Sequence, residues 1–174
     1  MKYLSTIILL IQTIFGSAQW TESSMAHCED QDFNRKVNKM LNYSVEVVSV
    51  DKVYECLSNY YLLDARELEE YIVSHIPGAI HFGYKDPKWE DLDSIDRQKE
   101  ILVYCSIGYR SEKIGEKLKK RGFTKVQNIY GSIFEWANRG YPLEDPRGNQ
   151  TKEVHTYNKN WSKWLLNPDY QKIW

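Results

Sequence analysis

Cysteine is scarce in this chain, and so is net charge. Lysine and arginine, 23 together, almost cancel 24 aspartates and glutamates, leaving a formal charge of −1. That balance gives no case for a nucleic-acid or anionic-membrane partner. The four histidines show no metal-ligand spacing, so neither a metal nor another cofactor is expected. There is no internal repeat and no low-complexity tract. The cysteines are three, Cys28, Cys56 and Cys105, an odd number that leaves at least one free or paired outside the chain.

Long apolar runs are confined to the first residues, "MKYLSTIILLIQTIFGSAQW". Lys2 supplies a positive start, Leu4 to Phe15 an apolar stretch, and Gly16-Ser17-Ala18 a small-residue cleavage site. Ser5, Thr6, Gln12 and Thr13 interrupt the stretch, which is too short to span a bilayer comfortably. No cysteine stands near the cleavage site, which argues against a lipid anchor. Residues 1–18 therefore read as a signal peptide, with an uncleaved anchor as the alternative. Cleavage after Ala18 leaves Gln19 first, in an exported protein, periplasmic or secreted, without stable membrane insertion. Export keeps a Cys28–Cys56 disulfide open. The favoured reading instead packs Cys56 in a helical stripe with Val53 and Leu57 and leaves Cys28 in a flexible leader.

What is present fits an ordinary soluble domain. Apolar residues make up 42% and charged ones 27% of 174 residues, room for one domain with a sizeable core. After a polar leader, "DFNRKVNKMLN" spaces Phe33, Val37, Met40 and Leu41 as an amphipathic helix, closing a segment of residues 19–44. From residue 45 to 145 strands alternate with helices. "SVEVVSV" reads as a strand, and Asp51 as the cap of a helix through "KVYECLSN". "YYLLD" is a strand, followed by "ARELEEYIVSH" with Leu68, Tyr71 and Ile72 on one face. Pro77-Gly78 turns the chain into another short strand. "EILVY" is apolar almost throughout, as expected of a strand covered on both faces. The helix after it has Ile114 and Leu118 as its buried stripe and stops at Gly122. "KVQNI" and "SIFEWANRG" complete the rhythm. This alternation predicts an α/β fold, an open, mainly parallel sheet with helices on both faces. Residues 146–174 form an aromatic-rich tail, expected to fold back over the domain, with a partner surface as the alternative.

The chemistry concentrates in "CSIGYRS", residues 105–111. Cys105 closes a strand where ligands bind in parallel sheets. Gly108 allows a positive φ, so that successive amides can form an anion nest. The helix beginning near Arg110 aims its positive end at the same point. Together these favour a thiolate, and Arg110 adds a fixed charge and a planar donor fork.

Three segments in order and spacing carry a resemblance to the rhodanese-like sulfurtransferases: "LLDARELEEYIVSHIPGAIHF", "ILVYCSIGYRSEKIGEKLKKRGF" and "VQNIYGSIFEWANRGYPLE". The resemblance covers about residues 45–145. It implies that Cys105 carries a sulfane sulfur as a persulfide while the amides of Ser106, Ile107, Gly108, Tyr109 and Arg110 hold its charge. Arg110 would orient the loop and the donor anion, with Ser111 at the helix start. Asp64, Arg66 and His75 match scaffold positions and are expected to be structural, Asp64 pairing with Arg66 and His75 satisfying loop backbone. The implied partners are a small anionic sulfur donor, thiosulfate or a persulfide, and a thiol, cyanide-like or protein acceptor. Gly131-Ser132 replaces the family's frequent glycine pair, a change expected to matter little. Ser106 and Ile107 stand where many thiosulfate-using members carry a further basic residue, which weakens thiosulfate as donor. Two alternatives remain, a non-catalytic binding module and a cysteine phosphatase. The second fits less well, since tyrosine-phosphatase loops hold one residue more between cysteine and arginine.

Overall fold

The computed structural model describes residues 26–174. The signal segment, its cleavage site and residues 19–25 of the leader lie outside the described residues. The centre of the molecule is a five-stranded sheet, ordered β1 (Glu46–Val48), β5 (Val126–Ile129), β4 (Ile101–Tyr104), β2 (Tyr61–Asp64), β3 (Ile80–His81), with every pairing parallel. Strand β4 is central, and all four of its residues are buried. Its side chains alternate between the faces, as strand geometry requires. Leu102 and Tyr104 join a core cluster with Phe33, Val53, Phe134 and Trp136. Ile101 and Val103 join a second with Leu63, Phe82, Ile114 and Leu118. The α/β reading thus holds, with apolar packing on both faces of the sheet.

Helix α1 (Gln31–Met40) starts where Asp30 accepts a hydrogen bond from the Phe33 amide at 2.7 Å, and it buries Phe33 and Val37. Helix α4 (Tyr109–Lys120) buries Ile114 and Leu118, carries Lys117, Lys119 and Lys120 in its last turn, and ends before Gly122 at φ +90°. Helix α5 (Ser132–Asn138) is buried over most of its length.

Three local expectations need correction. Helix α2 (Val50–Glu55) is capped by Ser49, whose hydroxyl accepts from the Lys52 amide, and Asp51 sits inside the first turn. The cysteines are reversed: Cys56 lies exposed at the end of α2, whereas Cys28 is 3% exposed, and all three thiols are free. The physical reason is a pair of hydrogen bonds that tie down the chain around Cys28. Its own amide donates to Asn34 Oδ1 at 3.0 Å, and the Glu29 amide donates to Glu135 Oε1 at 2.8 Å. In α3 (Leu68–Val73), Leu68 and Ile72 are more than half exposed, and the buried side chain is Glu70 at 2% exposure. A polar network, described below, turns the helix that way.

The tail is structured. Strand β6 (Leu143–Glu144) pairs antiparallel with β7 (Gln150–Thr151), and β8 (Glu153–His155) pairs parallel with β9 (Gln171–Ile173). Val154, Leu165 and Tyr170 enter the core cluster that contains Phe33, with Trp161 and Trp164 packed against it. Trp164 stacks on Phe33 at 5.8 Å between ring centroids, which ties the tail to α1.

Candidate active site

The loop from β4 to α4 carries Cys105 at 1% exposure. Its backbone is held from behind by the β5–α5 corner. The Cys105 amide donates to Ser132 Oγ at 3.1 Å, and the carbonyls of Cys105 and Ser106 accept from the amides of Ile133 and Phe134, each at 3.2 Å. Ser132 itself has φ +52° and follows Gly131 at φ +71°. Two successive left-handed residues turn the corner tightly enough for the Ser132 hydroxyl to reach β4. Sequence reasoning treated this serine as a minor change, but here it anchors the cysteine's backbone.

Gly108 has φ +121°, a conformation that side chains rarely adopt, and an added Cβ would lie 3.3 Å from Leu41. Its amide points at the Cys105 sulfur, 3.2 Å away. Its carbonyl accepts from Asn128 Nδ2 at 2.9 Å, and Ser111 Oγ stands 2.7 Å from Asn128 Oδ1. Buried Asn128, which the sequence did not single out, thereby fixes the peptide that presents the amide.

Burial alone would raise the Cys105 thiol pKa. The Arg110 charge and hydrogen bonds from Ser111 and the Gly108 amide outweigh it, so the thiol titrates below its ordinary value. Arg110 does not hold its fork open. Its terminal nitrogens donate to both Glu70 oxygens, at 2.6 and 2.8 Å, and one also donates to Ser106 Oγ at 2.8 Å. Ser106 Oγ donates in turn to Glu70 at 3.1 Å, and the Glu67 amide donates to the same carboxylate at 3.1 Å. Burial would raise the Glu70 pKa, but the Arg110 hydrogen bonds and charge hold it below the ordinary carboxylate range. Glu70 is the main residue that sequence reasoning missed. The only signal was its place three residues after Glu67, the spacing at which a side chain reaches back to a helix start.

Cys105, Ser106, Ile107, Tyr109 and Arg110 line a cavity of about 400 Å³, whereas Gly108 and Ser111 do not line it. Met40 of α1, Tyr84, and Tyr157 and Trp161 of the tail complete its walls, with Glu67 and Lys85 as its other charged groups. Asp64, Arg66 and His75 do not line it. Asp64 and Arg66 form a fully buried pair, 2.6 Å at the closest approach, and Arg66 also donates to the Ser74 carbonyl at 2.6 Å. His75 Nδ1 lies 3.2 Å from the Tyr71 carbonyl, and its backbone bridges to Glu144. Among the described residues, no group of three or more His, Cys, Asp or Glu is placed to hold a metal, and no helix is long and apolar enough to cross a membrane.

Known proteins similar to this chain bear on its family and fold. Bacillus subtilis YtwF, provisionally named as a sulfurtransferase, is 30% identical over 98 residues, covering 56% of this chain and 93% of YtwF. YrkF of the same organism, provisionally named as a sulfur carrier protein, is 38% identical over 80 residues, covering 45% of this chain but only 42% of YrkF. Among solved structures, a rhodanese-related protein from Thermoplasma volcanium superposes with a TM-score of 0.51 at 29% identity, covering 57% of this chain and 97% of the other. The polysulfide-sulfur transferase of Wolinella succinogenes shares the fold, with a TM-score of 0.51 at 23% identity over 66% of this chain and 88% of the other. The family model for the rhodanese-like domain matches residues 49–139, a span that contains four of the five strands of the sheet, the Cys105 loop and the Ser132 corner, and the chain belongs to the rhodanese-like family.

Proposed function

We propose that this protein is a sulfurtransferase that carries sulfane sulfur as a persulfide on Cys105. The observation that carries the reading is the Cys105 sulfur at the cavity, 3.2 Å from the Gly108 amide and shifted toward thiolate by Arg110. The thiolate attacks the outer sulfur of a donor. A new S–S bond forms to Cys105, the donor's own bond to that sulfur breaks, and its electron pair leaves with the donor body. The added sulfur extends the charge by one atom into the cavity, toward the positive end of α4. A cyanide or thiolate acceptor then attacks the outer sulfur and expels the Cys105 thiolate, which the same contacts favour. No net redox change occurs, so no cofactor is required. Arg110 and Glu70 act together: the guanidinium supplies positive charge and the carboxylate fixes its place.

Steady-state cyanolysis tests this reading. Purified protein given a sulfane donor and cyanide should release thiocyanate, and Cys105→Ala should release none above background. A protein that serves only as a binding module releases none in either form. The pattern around Lys2, Leu4 to Phe15 and Ala18 supports placing this chemistry outside the cytoplasm. N-terminal mapping should then find Gln19 first, and an intact Met1 form confined to the cytoplasm would refute export.

A further inference from the structure

One side of the cavity's wall is built from parts outside the family match. Residues 49–139 supply the loop and its anion-holding amides, but Met40, Tyr157 and Trp161 come from α1 and the tail. These additions are anchored. Thr156 is fully buried and donates its amide to the Ile173 carbonyl at 2.7 Å, and Trp161 donates its amide to the Asn158 side chain at 3.2 Å. Between them Tyr157 is held at φ +64°, over the Arg110 guanidinium at 5.4 Å. A bulky residue held in the left-handed region beside a reactive group is strain retained by its surroundings. The result is an aromatic and aliphatic wall facing the sulfur.

The cavity's charges lead the same way. Arg110 spends its fork on Glu70, and the exposed cation Lys85 shares the lining with Glu67. Glu70 does not line the cavity, but its carboxylate neutralises the Arg110 guanidinium, and Glu67 offsets Lys85 within the lining, so the side chains offer no surplus positive charge to a small dianion such as thiosulfate. A volume of about 400 Å³ lies within the range that takes organic ligands, roughly 300–1,000 Å³.

We infer that the wall formed by Met40, Tyr157 and Trp161 selects sulfane-sulfur donors with an apolar organic body over small inorganic donors. This rests on the sulfurtransferase reading and names its substrate class. The step is the one already given: Cys105–S⁻ and R–SO2–S⁻ yield Cys105–S–S⁻ and R–SO2⁻, with the S–S bond of the donor broken and its pair retained by the sulfinate.

Three donors separate the terms: benzenethiosulfonate, methanethiosulfonate and thiosulfate, each assayed for kcat/KM with cyanide as acceptor. The first two carry the same charge and differ only in the body. Wild-type protein should prefer benzenethiosulfonate to methanethiosulfonate by about tenfold, with thiosulfate poorest. Tyr157→Ala and Trp161→Ala should each lower the benzene-to-methane ratio by roughly three- to tenfold, the contribution of one aromatic contact. Tyr157 is 54% exposed, so its variant is the one that spares the core, and the wild-type ratio needs no variant. Equal use of the two monoanions by wild type, thiosulfate as the best donor, or a ratio unmoved in Tyr157→Ala would overturn the inference while leaving sulfur transfer intact. Failure of all three donors to load Cys105 would instead remove the sulfurtransferase reading, and this inference with it.

Discussion

At the residue scale the arginine is informative, because its fork and its charge make different predictions. With two hydrogen bonds to Glu70 and one to Ser106, Arg110 depends on planar geometry that lysine lacks. Losing a charge-assisted hydrogen bond costs roughly 1.5–3 kcal/mol. Arg110→Lys should therefore lower transfer by about ten- to a hundredfold, and a variant within about twofold of wild type in steady-state assays would mean that charge alone suffices. The same arginine sets the Cys105 titration. Alkylation by iodoacetamide against pH should show a midpoint below the ordinary thiol value of about 8.5, since the folded protein favours the thiolate. In Arg110→Ala that midpoint should move up. Glu70 gives a stability counterpart. Removing one partner of a buried pair costs roughly 3–5 kcal/mol, so Glu70→Ala should lower the urea midpoint clearly at pH 7. The folded Glu70 pKa is depressed, so its stabilisation is complete above the unfolded value of about 4.3 and is lost as pH falls through the folded value. The gap between wild type and variant should narrow on acidification. A gap independent of pH would show that packing, not charge, holds this side chain.

At the element scale, what the sequence made legible was what periodicity and punctuation encode. The all-apolar "ILVY" marked the central strand, Ile114 and Leu118 marked the buried side of α4, and Gly122 marked its end. The Cys105–Ser111 loop could be placed because it lies between those two signals. What stayed hidden depended on contacts distant in sequence. Glu70 looks like one of several solvent-facing glutamates until Arg110, forty residues later, is folded against it. Leu68 and Ile72 look like a buried stripe because a six-residue helix is too short for periodicity to be decisive. Cys28 and Cys56 changed places for a similar reason, as the hydrogen bonds to Asn34 and Glu135 have no local signature. The β5–α5 corner gives its own test. Ser132→Gly relieves a left-handed side chain, a gain of roughly 1–2 kcal/mol, but it removes the acceptor for the buried Cys105 amide, a loss of roughly 1–3 kcal/mol. Thermal stability should change little, whereas sulfur loading should slow by about tenfold or more as the cysteine's backbone loosens. Loading at the wild-type rate would show that the hydroxyl does not position the nucleophile.

At the scale of the whole molecule, the matched domain and its extensions share one core. Leu165 of the tail and Phe33 before the domain are fully buried in the same cluster as Tyr104 and Trp136. Leu165→Ala should accordingly cost roughly 2–5 kcal/mol and lower the single melting transition seen by both tryptophan fluorescence and far-ultraviolet circular dichroism. Separate transitions would show a tail that folds independently. The shared core also holds in place the tail that supplies Tyr157 and Trp161 to the cavity over Cys105. The central claim is that Cys105 alone carries the transferred sulfur, and intact mass spectrometry with peptide mapping tests it most directly. After exposure to a sulfane donor, the account predicts a gain of one sulfur on the Cys105 peptide, removed by cyanide and absent in Cys105→Ala. Sulfur gained on Cys28 or Cys56, or sustained turnover by Cys105→Ala, would contradict it.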